Sequence, residues 1–303
     1  MPQNRTQILK ELVPGLNAIF GMEYKRYENE HEVLFDKETS DRAYEEDLLV
    51  GGFGNAVVKP EGAPITYAAS PQEGWLARYH HETVAFGFSI TEEAMEDHLY
   101  DSLAARNSKS LGRAMSNTKQ IKAANVYNNA FSSSYLGGDS QPLVDNDHPL
   151  LTGGTWSNRP TTYADLSETS LETAIIDIAG IVDDDGNPIA LQPRTLHIPR
   201  QLIFVVERLL KTPGRPGTSD NDINALRSMN SIPGGWFVNH RFTDTDAWFI
   251  RTDCPDGMKF FTRVPVSTKM EGDFETGNVR YKARERYSFG WTNPRAVYGN
   301  QGA

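Results

Sequence analysis

The first apolar pattern along the chain is helical: Ile8, Leu9, Leu12, Val13, Leu16, Ile19 and Phe20 recur at intervals of three and four. Pro14-Gly15 interrupts it, which predicts two short helical pieces rather than one. After Tyr24 the period is lost, and the residues up to Asp47 read as an extended arm. From Gly51 to Gly74, Gly, Pro and Ala dominate, and there is too little apolar surface for a separate core. Val57, Val58, Ile65, Thr66 and Tyr67 are spaced for a thin hairpin within it. Val84, Phe86, Phe88 and Ile90 then alternate with small residues, as in a half-buried strand. The longest pattern predicts one helix from Ile90 to Phe131 along the stripe Met95, Leu99, Leu103, Leu111, Met115, Thr118, Ile121 and Ala124. Ser89 and Glu92 have the spacing of a capping box, and Gly112 marks a bend. Forty helical residues extend about 60 Å, a rod against which other layers pack.

Residues 132–160 are a loop rich in Gly and Pro, and 162–263 read as a compact α/β or α+β unit. That unit is expected to hold a helix near 170–180 and a turn at Asp184-Asp185-Gly186-Asn187. A strand at Thr195–Ile198 leads through Pro199 into a helix ending near Lys211, followed by a surface loop over 212–221. Strands follow at 236–242, 247–251 and 259–264. The clearest strand is the last, Val279 to Trp291. Val279, Tyr281, Ala283, Tyr287, Phe289 and Trp291 share one face, and Arg280, Lys282, Arg284 and Arg286 the other. Glu285 is the single acid on the apolar side. No internal repeat is visible.

Composition narrows the function. The 303 residues carry 30 Lys+Arg against 40 Asp+Glu, a net charge of −10, which argues against nonspecific gripping of nucleic acid. One cysteine, Cys254, excludes an intramolecular disulfide and a zinc site of several thiolates. No apolar run approaches the roughly 20 residues that span a bilayer, and the first residues lack the apolar stretch of a signal peptide. The expectation is a soluble protein made in the cytoplasm. The charge is unevenly spread: Glu23–Asp47 holds ten acids and four bases, whereas Arg251 to the end holds nine bases and six acids. Two readings stand beside each other. One is ordinary solvated surface. The other is head-to-tail complementarity, in which Glu28, Glu30, Glu32 and Asp36 of one copy meet Arg280, Lys282, Arg284 and Arg286 of the next. Three guanidiniums among four cations favour carboxylate pairing, with DNA phosphate as the second option.

Catalytic and ligand motifs fail on spacing. His80-His81-Glu82 lacks the second histidine of a metalloprotease helix, because position 85 is Ala. Asp183-Asp184-Asp185-Gly186 would place Ile181 and Gln192 where a calcium loop needs carboxylates. The prolines of Gly214-Arg215-Pro216-Gly217 remove amide donors from a phosphate loop, and Gly52-Phe53-Gly54 opens no βαβ unit. Asp253 and Asp256 beside Cys254 would raise its thiol pKa. His98 falls on a helical surface, and His31, His148, His197 and His240 have no sequence neighbours that make a relay. No catalytic, cofactor or metal residue is expected, although a site assembled from distant residues stays open.

The order of these segments resembles a known family. The carrying motifs are Gly87-Phe88-Ser89-Ile90-Thr91-Glu92-Glu93, Asn128-Asn129-Ala130-Phe131, Leu143 with His148-Pro149, and Leu196-His197-Ile198-Pro199. Asp222-Ile223-Asn224, Thr243-Asp244-Thr245-Asp246-Ala247-Trp248-Phe249 and Tyr287-Ser288-Phe289-Gly290-Trp291-Thr292-Asn293-Pro294-Arg295 complete the set. Together they resemble the tailed-phage major capsid proteins, whose α+β fold is named after phage Hong Kong 97, and within them the head subunits of the phage Mu type. The resemblance implies an N-terminal arm (1–44), an extended loop (45–88) and a peripheral domain with a spine helix (89–165). An axial domain (166–265) and a closing strand of the peripheral domain (266–303) follow. It also implies a homo-oligomer: hexamers and pentamers of an icosahedral shell around double-stranded DNA, without sequence-specific binding, catalysis, cofactor or membrane. Implied partners are a separate scaffolding protein, a portal and, where one is needed, a cement protein. The implied location is the virion, after assembly in the host cytoplasm. One relative crosslinks its subunits through a loop lysine; Lys59 is the only lysine between Gly51 and Ile90, and no motif supports that chemistry. Rival expectations are an encapsulin-like nanocompartment shell and a soluble hydrolase built on the scattered histidines.

Overall fold

The computed structural model describes residues 5–52, 54–67, 72–96, 100–214, 223–273 and 276–303. Its N-terminal part runs α1 (Arg5–Tyr24), α2 (His31–Leu34), β1 (Asp36–Thr39), β2 (Tyr44–Val50), β3 (Glu73–His80) and β4 (Glu82–Ile90). Helices α3 (Glu92–Glu96) and α4 (Tyr100–Asn128) form the spine, and β5 (His148–Pro149) pairs with β6 (Thr155–Trp156). Then come α5 (Glu168–Ala179), β7 (Pro193–Pro199), α6 (Ile203–Lys211), α7 (Ala225–Ser228), β8 (Trp236–Asn239) and β9 (Trp248–Thr252). Strands β10 (Met258–Gly272), β11 (Val279–Trp291) and β12 (Val297–Asn300) end the chain. The expected positions Ile8, Leu9, Leu12, Met95, His98 and Leu99, as side chains, and residues 215–222 of the expected surface loop fall outside what is described.

The first sheet has the order β1-β10-β11-β4, and its inner face packs on α4 and α1. Leu16, Phe20, Ala104, Leu111, Met115, Tyr281 and Ala283 are buried together there. Helix α1 is continuous through Pro14, against the expected break. Pro14 faces solvent and costs the helix one main-chain bond, while Leu16 and Phe20 on the inner face hold the following turns against α4. The Ser108 hydroxyl donates to the Leu16 carbonyl at 3.0 Å and fixes the same contact. Gly112 marks no bend. A Cβ there would stand 3.0 Å from the Phe20 carbonyl oxygen, so it is where α1 passes close over an unbroken α4.

The spine starts later than its pattern predicts, because β4 keeps Ser89 in the sheet opposite Arg280. Thr91 caps in its place, its hydroxyl accepting from the Ala94 amide at 3.4 Å. The helix also ends at Asn128, three residues short of Phe131. Ile121, expected on the buried stripe, is 40% exposed.

The second sheet, β12-β9-β7-β8, shares a core with α5 and α6 through Leu171, Ala174, Ile178, Leu196, Ile198, Val206, Trp248 and Ile250. Ser167 caps α5 in a reciprocal box with Ser170. The C-terminal strand β12 pairs with β9, so the chain ends in this sheet. The expected strand at 236–242 stops at Asn239, and that at 259–264 extends to Gly272 because β11 offers it a partner along its whole length.

Residues 51–67 contain no described helix or strand, so the expected hairpin at Val57–Tyr67 does not form there. The flanks form it instead, as β2 against β3. Ala77 and Tyr79 bury against Phe261, whereas Val57, Val58, Ile65 and Tyr67 have no core to enter and stay 64–89% exposed. The acidic segment, expected as an extended arm, contains α2, and its β1 pairs in parallel with β10.

Candidate assembly surfaces

The acids of residues 23–47 mostly meet bases of their own chain. Glu23 binds Arg113 at 2.5 Å and Arg26 at 3.1 Å, and the Arg113 bond holds its carboxyl below the usual range. Glu30 accepts from His240 and Arg241, both at 2.8 Å, and Asp36 pairs with Arg251. Lys259 is buried among Asp47 (2.5 Å), Asp256 (3.0 Å) and Glu38 (3.6 Å). Burial pulls its ammonium pKa down, and the bonds to Asp47 and Asp256 more than offset that, leaving it raised. Of the four acidic candidates, Glu30 and Asp36 are therefore engaged within the chain. Glu28 and Glu32 stay exposed, and among the described residues Glu32 takes only the Asn29 amide at 2.8 Å.

The basic candidates divide in the same way. Arg280 pairs with Asp273 at 2.6 Å. Lys282 and Arg284 lie on the open face of β11, beside Gly87 and Ala85 of β4, with exposed Lys269 directly across from Lys282. These three cations have no ion-pair partner among the described residues, and like charges facing across strands repel. Arg286 turns to its own chain: Nε donates to the His81 carbonyl at 3.2 Å and an Nη to the Ala43 carbonyl at 3.3 Å. It grips both strands at the base of the β2–β3 hairpin.

Glu285 points inward. Its carboxylate accepts from Lys119 and from the Tyr24 hydroxyl, each at 3.0 Å, tying β11 to α4 and α1. Lys119 also lies 5.1 Å from the Tyr287 ring and 5.3 Å from that of Phe260. The alternation of β11 marks the odd acid but not its partner, since Lys119 is 166 residues away.

Two parts of the surface each carry several exposed apolar side chains. On the hairpin, Tyr44, Leu48, Val50 and Leu76 point outward, continuing the exposed residues of 54–67. Around the second sheet, Ile176, Phe204, Ile223 and Met229 are 71–76% exposed. Patches of this kind mark contact surfaces.

The histidines His31, His148 and His197 are buried. Burial holds the imidazoles of His31 and His197 down at about 4 and about 3. His148 has partners the sequence did not reveal, Asp139 at 2.6 Å and Asn158 at 3.2 Å, yet it is fully buried and stacked on Trp156. Burial, more than the neighbouring aspartates, pushes the Cys254 thiol up to about 12. Among the described residues no group of three or more His, Cys, Asp or Glu is arranged to hold a metal ion, and no helix is long and apolar enough to cross a membrane.

A family model described as phage capsid protein matches residues 77–300. Solved structures similar in fold include the virus-like particle from Pyrococcus furiosus (TM-score 0.55, 10% identity, covering 94% of this chain and 97% of that one). The capsid of an empty GTA particle gives a TM-score of 0.57 at 10% identity, covering 91% and 90%. The capsid of cyanophage P-SCSP1u gives 0.54 at 13%, covering 89% and 86%. No curated protein matches the sequence.

Proposed function

The chain belongs to the phage capsid protein family, with the Hong Kong 97-like fold, and from that premise we propose how it assembles. It is the structural major capsid protein of a tailed phage. Copies join as hexamers and pentamers of an icosahedral shell around double-stranded DNA, in the virion, with no catalytic step. The observation that carries this reading is the 54–67 excursion. It exposes Val57, Val58, Ile65 and Tyr67 on a segment with no core of its own. Such a segment is stabilised when laid over a neighbouring copy, where its apolar area is buried between chains. Residues 1–44 serve as arm and 45–88 as extended loop. The spine at 89–165 joins the closing strand at 266–303 as peripheral domain, and 166–265 form the axial domain, to whose sheet β12 returns. The exposed Ile176, Phe204, Ile223 and Met229 supply apolar contacts between axial domains. Lys282, Arg284 and Lys269 receive Glu28 and Glu32 of the next copy. Assembly draws on a separate scaffolding protein and a portal.

A nanocompartment shell on the same fold is not favoured, because the matching family model is that of a phage capsid protein. Size-exclusion chromatography followed by negative-stain microscopy tests the proposal, with scaffold supplied. Closed shells of hexamers and pentamers, carrying nuclease-resistant DNA when made in infected cells, are expected. A compact monomer that never assembles in either setting overturns it.

A further inference from the structure

The base of the hairpin carries a titratable cluster that shell-building alone does not require. His81 joins β3 to β4 and is buried, its Nδ1 2.9 Å from the Ser288 hydroxyl of β11 and its Nε2 2.9 Å from the Ser40 hydroxyl that precedes β2. The hydrogen bonds around Ser40 assign the tautomer. Its hydroxyl donates to the Glu45 carboxylate at 2.6 Å and accepts from the Arg42 amide at 3.2 Å. One lone pair remains, so Nε2 must carry a proton to donate to it. Nδ1 is then bare and accepts from Ser288. One neutral imidazole thus links the entering strand, the leaving strand and the fixed sheet. Arg286 makes the same three-way junction through the carbonyls of His81 and Ala43.

We propose that His81 is a pH-sensitive latch holding the base of the β2–β3 excursion against β11, closed when the ring is neutral and weakened when it is protonated. The groups facing the ring are Arg286 from β11, Arg263 from β10, His80 from β3 and Glu45 from β2, with the edge of Phe261 at 6.3 Å. Two guanidiniums oppose one carboxylate, which is itself 3.9 Å from Arg42. A proton on Nδ1 adds a third positive charge and removes the acceptor of the Ser288 hydroxyl. The direction of its pKa agrees: burial first, then Arg286, holds His81 below its ordinary value. Once the base opens, the imidazole regains an ordinary value near 6.5. The open form therefore binds more protons, and the latch is intact above about pH 6.5 and weakens as pH falls below it.

The latch belongs to one subunit, so its test does not depend on shell formation. Amide hydrogen exchange of the isolated full chain, corrected for intrinsic rates, is compared at pH 7.5 and pH 5.5. Residues 40–50 and 73–83 should lose protection severalfold on acidification, while 111–128 of the spine hold theirs. The spine comparison separates the latch from general loosening through His31 and His197. His81→Gln keeps a donor and an acceptor and should remove the pH dependence; Ser288→Ala should lower protection of the base already at pH 7.5. Nitrogen-15 spectra of the wild-type ring add a readout free of variants, and should show the neutral Nε2–H form at pH 7.5. An unchanged pH response in His81→Gln, no response in the wild type, or a ring protonated at pH 7.5 with the base still protected would each overturn the proposal.

Discussion

Glu285 stands at a position of β11 whose neighbours in phase are Ala283 and Tyr287, and it is 1% exposed. An isolated carboxylate so placed would be costly, and only Lys119 and the Tyr24 hydroxyl make it tolerable. The asymmetry of buried ion pairs gives a measurable consequence. Lys119→Met leaves Glu285 unpaired and should cost about 3–5 kcal/mol, whereas Lys119→Met with Glu285→Leu should cost distinctly less. Urea denaturation of the three proteins checks this, and equal losses in single and double variants would contradict it. The acid was legible as an exception to the alternation. Its partner was not, because no period links one strand position to one turn of a helix packed behind it.

At the scale of elements, α1 shows how packing overrides local preference. Pro14 and Gly15 are poor residues for the middle of a helix, yet the helix runs from Arg5 to Tyr24. A Cβ at Gly15 would meet nothing within 4 Å. Gly15→Ala should therefore stabilise by about 0.5–1 kcal/mol, seen as a higher urea midpoint with an unchanged circular dichroism spectrum. A lower midpoint would mean that the helix uses the glycine. The hairpin shows the reverse case. The apolar residues at 57–67 suggest strands, but strands need a face to bury; β3 lies over Phe261 and β2 pairs with it.

On the whole-molecule scale, the charge of −10 divides into bridges and unspent charge. Five acids of the N-terminal segment, Glu23, Asp36, Glu38, Asp41 and Asp47, close its contacts with β9, β10 and α4, and Arg286 braces the hairpin. Among the described candidates for contact between copies, Glu28 and Glu32 stay open on one side, and Lys282 and Arg284, with Lys269 beside them, on the other. If these meet between copies, Lys282→Glu with Arg284→Glu should block shell formation without lowering subunit stability. Adding Glu28→Lys and Glu32→Lys to the same chain should restore shells in negative-stain images. Failure of the fourfold variant to assemble better than the double variant would argue against that pairing.

By itself the sequence determined the periodic parts: the long spine helix, the alternation of β11, the core helices around 170–210 and the excursion's lack of a core. Periodicity is a local record of which side of an element is wet, and it survives without knowledge of the partner. Tertiary structure alone decided where helices and strands stop, as when β4 kept Ser89 from capping the spine. It also decided which charges are free. A carboxylate in an acidic run looks the same whether or not a guanidinium arrives from 215 positions away, as Arg251 does to Asp36. Long-range pairing depends on distance in space, and sequence order carries no record of that distance.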